Sequence, residues 1–125
     1  MAKQNSAKYK GIATVETALV LALLILVVIG GLDLALQFYV RHNMSRASRE
    51  AARSLAVQGA TLAQAQQAAL DTLTGINANF TIEAQFTEND VTATVTVPRD
   101  DISIGLFPRS GPQNISATTT MRRED

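Results

Sequence analysis

The chain has 125 residues, with 11 Lys and Arg balancing 11 Asp and Glu, and no cysteine. The absence of cysteine excludes a disulfide framework, a thiol nucleophile and a thiolate metal site, and the charge balance gives no reason to expect nucleic-acid binding, which normally shows a concentrated basic face. The three lysines, Lys3, Lys8 and Lys10, all lie in the first ten residues; without them 8 arginines face 11 acids, a net charge of −3.

Residues 1–10 are polar, lack apolar periodicity and read as a disordered leader. Gly11-Ile-Ala-Thr-Val-Glu16 follows, and from Thr17 to Leu32 the chain carries no charge. Those 16 residues cover about 24 Å as a helix, and extension through Asp33 to Leu36 adds about one turn, so the segment spans a bilayer, if snugly. The leader lysines place residues 1–11 in the cytoplasm and the chain beyond Leu36 outside.

Glu16 is the conspicuous residue of this segment. An ionised acid at bilayer depth costs on the order of 2.5 to 3.5 kcal/mol, and it calls for a partner. If the chain is cut after Gly11, the ammonium of Ile12 becomes a candidate partner, in the same or a neighbouring subunit. The plainer reading is a tolerated acid near the membrane interface. Asp33, at the outer end of the apolar run, reads as an interfacial residue facing water, with a subunit contact as the alternative. Ala18 with Ala22 and Gly31 with Ala35 are small-residue pairs that let helices approach closely in lipid. The adjacent Gly30-Gly31 weakens the helix by about 1 kcal/mol per glycine in exposed settings.

No proline occurs before Pro98, so the helical pattern continues. Val40, Met44, Ala47, Ala51 and Leu55 form one apolar stripe. Arg46, Arg49, Glu50 and Arg53 occupy the other side, with Arg46 and Glu50 an i, i+4 pair worth about 0.2 to 0.5 kcal/mol. The spacing predicts one helix of about 45 residues from Ile12, ending at Gly59. Thr61-Leu-Ala-Gln64 has the form of a capping box and Gly75 is a natural stop, so a second helix falls within 59–75, its stripe Leu62, Ala65, Ala69 and Leu73 packing on the alanine-rich end of the first.

The period then changes from 3.6 to 2. Phe80, Ile82, Ala84 and Phe86 alternate with polar residues, as do Val91, Ala93, Val95 and Val97, with Thr87-Glu-Asn-Asp90 as a hairpin turn between them. Ile102–Phe107 is a further apolar stretch, 108–112 a loop and Ile115–Met121 a last strand. The fold class is therefore α+β: a leader (1–11), a membrane-spanning helix (12–36), its soluble continuation (37–58), a second helix (59–75) and a three- or four-stranded antiparallel region (76–125).

The remaining candidate sites are weak. His42 has no second histidine or cysteine with which to share a metal and reads as an exposed helix residue. Asp100-Asp101 lacks a third ligand at loop spacing and reads as a solvated turn. Asn43, Asn79 and Asn114 begin glycosylation triplets, read as chance. No serine sits in a nucleophile-elbow context. Nothing here points to an enzyme, a cofactor, a metal or a small-molecule substrate.

On Gly11-Ile-Ala-Thr-Val-Glu16-Thr-Ala-Leu-Val-Leu21, the acid Asp33 past the apolar run, and Ala47-Ser-Arg-Glu-Ala-Ala-Arg53, the chain resembles the TadE-like pseudopilins of the tight-adherence (Flp) pilus system over roughly residues 10–58. The resemblance implies a bacterial inner-membrane prepilin cut between Gly11 and Ile12 by a prepilin peptidase, with Glu16, fifth in the product, used in recognition or assembly. Its partners would be other pilins or pseudopilins and the pilus assembly machinery. Major Flp pilins are usually much shorter, so the extra 60 or so residues favour a minor pilin or an assembly factor. Two other readings stand beside it. One is an uncut single-pass anchor or sensor with a periplasmic α+β domain. The other is a secreted binding protein released by signal peptidase, since Val28 and Gly30 satisfy the small-residue rule before Gly31.

Overall fold

The computed structural model describes residues 2–57, 60–103, 105 and 111–123, with side chains from Gly11 onward. Two compact units emerge, Met1–Leu34 and Ala35–Asp125. The long helix α1, Ala2–Ala56, contributes to both.

The first unit is helical from Ala2, so the expected disordered leader is replaced by helix. Ala, Lys and Gln dominate residues 2–10, and they are among the better helix formers, with no Pro or Gly to interrupt them. Helix continues through Gly30-Gly31 as well. The cost of two glycines is set against long flanks of Leu, Ile and Val in which each added residue contributes one more backbone hydrogen bond. Every side chain from Gly11 to Val28 is exposed. Among the described residues, α1 is the one helix long and apolar enough to cross a membrane.

In the second unit, the predicted stripe of α1 is the core-facing one: Val40, Met44, Ala47, Ala51 and Leu55 are all buried. The helix ends at Ala56, and Gly59, the expected stop, lies outside the described residues. Helix α2, Leu62–Thr72, opens on the capping box read from sequence: the Gln64 amide donates to Thr61 Oγ1 at 3.3 Å, and the Thr61 amide donates to Gln64 Oε1 at 3.0 Å. These bonds satisfy two amide donors at the helix start. Past the C-cap Leu73, Gly75 adopts φ +92°, a left-handed turn that an L side chain resists.

Ala65, Ala69 and Leu73 enter the core, but Leu62 is 43% exposed. As the first helical residue it projects at the open end of the stripe, beyond what the core covers. α2 also meets β1, Thr81–Phe86: Gln66 Nε2 donates to the Ile82 carbonyl at 3.3 Å.

β1 pairs with β2, Asp90–Pro98, which pairs with β3, Asn114–Arg122, all antiparallel, in the order β1-β2-β3. The register Phe86↔Val91 leaves a tight connection closed by the Thr87 amide donating to the Asp90 carbonyl at 2.8 Å. Being central, β2 buries its whole apolar row, Val91, Ala93, Val95 and Val97. The edge strands half-bury theirs, Ile82 and Ala84 in β1, and Ile115, Ala117 and Met121 in β3. The opposite face is a hydroxyl surface, with cross-strand contacts Thr92 Oγ1 to Thr120 Oγ1 at 2.9 Å and Thr94 Oγ1 to Thr118 Oγ1 at 3.1 Å.

The described sheet thus has three strands, the lower of the two expected numbers. Of the further apolar stretch 102–107, Ile102, Ser103 and Gly105 are not strand, and 104, 106 and 107 lie outside the described residues. Ile102 follows a 3-10 turn, Arg99–Asp101, and is buried in the core that joins α1, α2 and the sheet.

Candidate functional site

In the first unit the residues expected to carry processing and assembly lie on an open helix surface. Ile12 is 64% exposed, and Gly11, Ile12, Val15, Glu16 and Leu19 line a shallow, open recess along one helix face. Ile12 and Glu16, four residues apart in a helix, stand about 5 to 6 Å from one another at their Cβ atoms. In the intact chain the Ile12 nitrogen is a helical amide, so it carries no positive charge to offer Glu16. Thr17 Oγ1 donates to the Ala13 carbonyl at 2.8 Å, which satisfies a hydroxyl in an apolar run without outside help.

Gly11 is informative by what surrounds it. A Cβ added there meets no atom within 4 Å among the described residues, and its φ is not positive. Among the described residues, neither backbone conformation nor packing requires a glycine at that position.

The structure moves Asp33 away from the water-facing role expected for it, since only 6% of its surface is exposed. Position along an apolar run tells how far along the helix a side chain lies, not whether its face is covered. His42, by contrast, is exposed on α1 as expected. Among the described residues no group of three His, Cys, Asp or Glu converges on a common point.

Asp101 does more than sit in a solvated turn. Its Oδ2 accepts from both the amide and the Nδ2 of Asn79, each at 3.0 Å, and so ties the 3-10 turn to the segment entering β1. Asn43 is buried, its Nδ2 donating to the Tyr39 carbonyl at 2.9 Å, while Asn114 stays exposed at the start of β3. Two of the three asparagine triplets therefore have a structural account.

Periodicity alone gave no sign of the core polar contact between Ser48 Oγ and Thr119 Oγ1 at 2.8 Å. A serine beside Ala47 in an alanine-rich stripe differs from its neighbours by one oxygen, which hydropathy patterns barely register.

No curated protein and no solved structure matches the chain. Residues 11–53 match the family described as TadE-like protein, a stretch that begins at Gly11 and ends at Arg53, within α1. The long apolar N-terminal helix is thus similar, over about a third of the chain, to TadE-like proteins.

Proposed function

We propose that this chain is a prepilin-like subunit, a minor pilin or pilus-assembly pseudopilin, cut between Gly11 and Ile12 by a membrane prepilin peptidase and assembled through the apolar helix that follows. The observation that carries the reading is the fully exposed helix face from Gly11 to Val28 with a carboxylate, Glu16, near its start. A helix with no covering of its own finds one in lipid or in neighbouring helices, and a carboxylate there gains from a cation. Cleavage converts the Ile12 amide into an ammonium, which supplies both the charge and the hydrogen-bond donors. Two like-oriented helices offset by about 6 Å, four residues of rise, bring the ammonium of one level with the Glu16 of the next. Gly11, which meets no neighbour among the described residues, leaves the backbone open to a peptidase.

In this reading residues 1–11 are a cytoplasmic leader, 12–36 cross the inner membrane, and 37–125 form the periplasmic α+β region, which the assembled filament carries outward. Other pilins or pseudopilins and the assembly machinery are the partners.

Intact-mass analysis of membrane-extracted protein tests it. Loss of the first 11 residues is expected. A chain starting at Met1 or Ala2 in cells with an active peptidase returns the reading to an uncut anchor, and one starting at Gly31 to a secreted product of signal peptidase.

A further inference from the structure

Opposite its core-facing stripe, the second half of α1 carries one continuous exposed row: Phe38, His42, Arg46, Arg49, Arg53 and Val57, with successive spacings of 4, 4, 3, 4 and 4. At about 100° per residue these six fall within an arc of about 100°, and Val40, Met44, Ala47, Ala51 and Leu55 centre on the far side of the helix. The row is about 28 Å long, basic in the middle, with an exposed aromatic at one end and an exposed valine, one residue past the helix, at the other.

Within this row Arg49 has no acid at i, i+3 or i, i+4 in either direction. Arg46 and Arg49, and Arg49 and Arg53, are like-charged neighbours at i, i+3 and i, i+4, where they oppose helix formation. Glu50 is the one acid within a turn of them, and it can reach Arg46 or Arg53 but lies beside Arg49 around the helix. Three exposed forked donors at successive turns, with one acid beside them on the helix, are complementary in charge and shape to carboxylates supplied from outside. Apolar ends flanking a charged centre are the pattern of a helix-on-helix contact in which the charges set partner and alignment.

We propose that this row docks an acidic helix of a different subunit, one presenting carboxylates at successive turns against Arg46, Arg49 and Arg53, with apolar residues against Phe38 and Val57. A second copy of this chain does not fit, because the same row in a parallel neighbour opposes arginine to arginine. The inference deepens the assembly reading and rests on it for the partner being a subunit of the same system.

The test uses the full chain in nanodiscs of zwitterionic lipid. The probe is a synthetic alanine-based helical peptide with Glu at four positions spaced 4, 3 and 4, and a Gln-for-Glu version serves as its control. The acidic peptide is expected to bind about tenfold more tightly than the control, with the difference shrinking as NaCl rises from about 50 to about 300 mM. The combined Arg46→Gln, Arg49→Gln, Arg53→Gln variant, shown by circular dichroism to be folded, is expected to lose that preference.

Equal binding of both peptides to the native chain, or a preference that survives in the variant, overturns the proposal. So does ready disulfide formation between copies of Arg49→Cys in membranes, which puts a second copy on the row in a chain with no other cysteine. Arginine-dependent binding to phosphatidylglycerol vesicles that the acidic peptide fails to compete assigns the row to lipid and overturns it too. Peptide binding requires neither cleavage nor Glu16. Failure of the assembly reading therefore shows itself at Glu16, and failure of this one at the arginines.

Discussion

Ser48 Oγ and Thr119 Oγ1 lie 2.8 Å apart, joining α1 to β3 across 71 residues of sequence. Ser48 is fully buried, and its hydroxyl donates to the Ser45 carbonyl at 3.1 Å while accepting from Thr119, or donates to Thr119 instead. A hydrogen bond of this kind contributes about 0.5 to 1.5 kcal/mol net, and losing one partner leaves the other to be satisfied. Ser48→Ala is expected to lower the thermal midpoint of the detergent-solubilised chain by about 4 to 8 °C for each kcal/mol lost. Thr120→Ala, on the hydroxyl face of the same strand, removes a solvent-side contact and is expected to shift it less. A larger shift for Thr120→Ala refutes the placement of Ser48 in the core.

Leu70 and Leu73 give a matched pair on α2, 44% and 3% exposed respectively. Leu73→Asp places a charge among Ala69, Val91 and their neighbours without a partner, a cost of several kcal/mol that unfolds a marginal domain. Leu70→Asp leaves its charge in water and is expected to stay within about 1 kcal/mol of the parent. Urea unfolding followed by circular dichroism compares them, and equal midpoints contradict the packing.

Gly75 and Gly11 are predicted to separate folding from processing. Gly75→Ala meets no neighbouring atom within 4 Å but must hold φ +92°, so it is expected to destabilise by about 1 kcal/mol without affecting cleavage. Gly11→Ala is expected to leave the thermal midpoint unchanged and to slow removal of the leader. Normal processing of Gly11→Ala in a pulse-chase experiment removes the support that glycine lends to a cut at that bond.

Glu16→Leu is the corresponding test of assembly. Removing an isolated carboxylate from a membrane helix eases insertion by about 2.5 to 3.5 kcal/mol, so the variant is expected to insert fully and still to be cut. Without the carboxylate the freed Ile12 ammonium has no counter-charge, and co-purification with other pilins is expected to fall to background. Gln67→Ala, on the exposed surface of α2, is the control expected to assemble normally. Unchanged piliation in Glu16→Leu returns the residue to a tolerated interfacial acid.

Amino-acid order by itself determined the local structure of this protein. The 3.6 period through Leu55, the Thr61–Gln64 box, the stop at Gly75 and the alternation in 80–86 and 91–97 each rest on interactions within a few residues, and each reappears in the fold with ends shifted by one to three positions, except that the first helix starts at Ala2, ten residues before the expected Ile12.

Tertiary structure alone decided which surfaces are covered. Leu62 and Ala65 look alike as members of one stripe, but only Ala65 meets the core. Gln66 looks like a residue facing water, yet it donates to the Ile82 carbonyl of β1. Ser48 finds its partner 71 residues away. Burial and hydrogen bonding of this kind depend on segments that are distant in sequence and close in space, and periodicity, a property of neighbours along the chain, does not report on them.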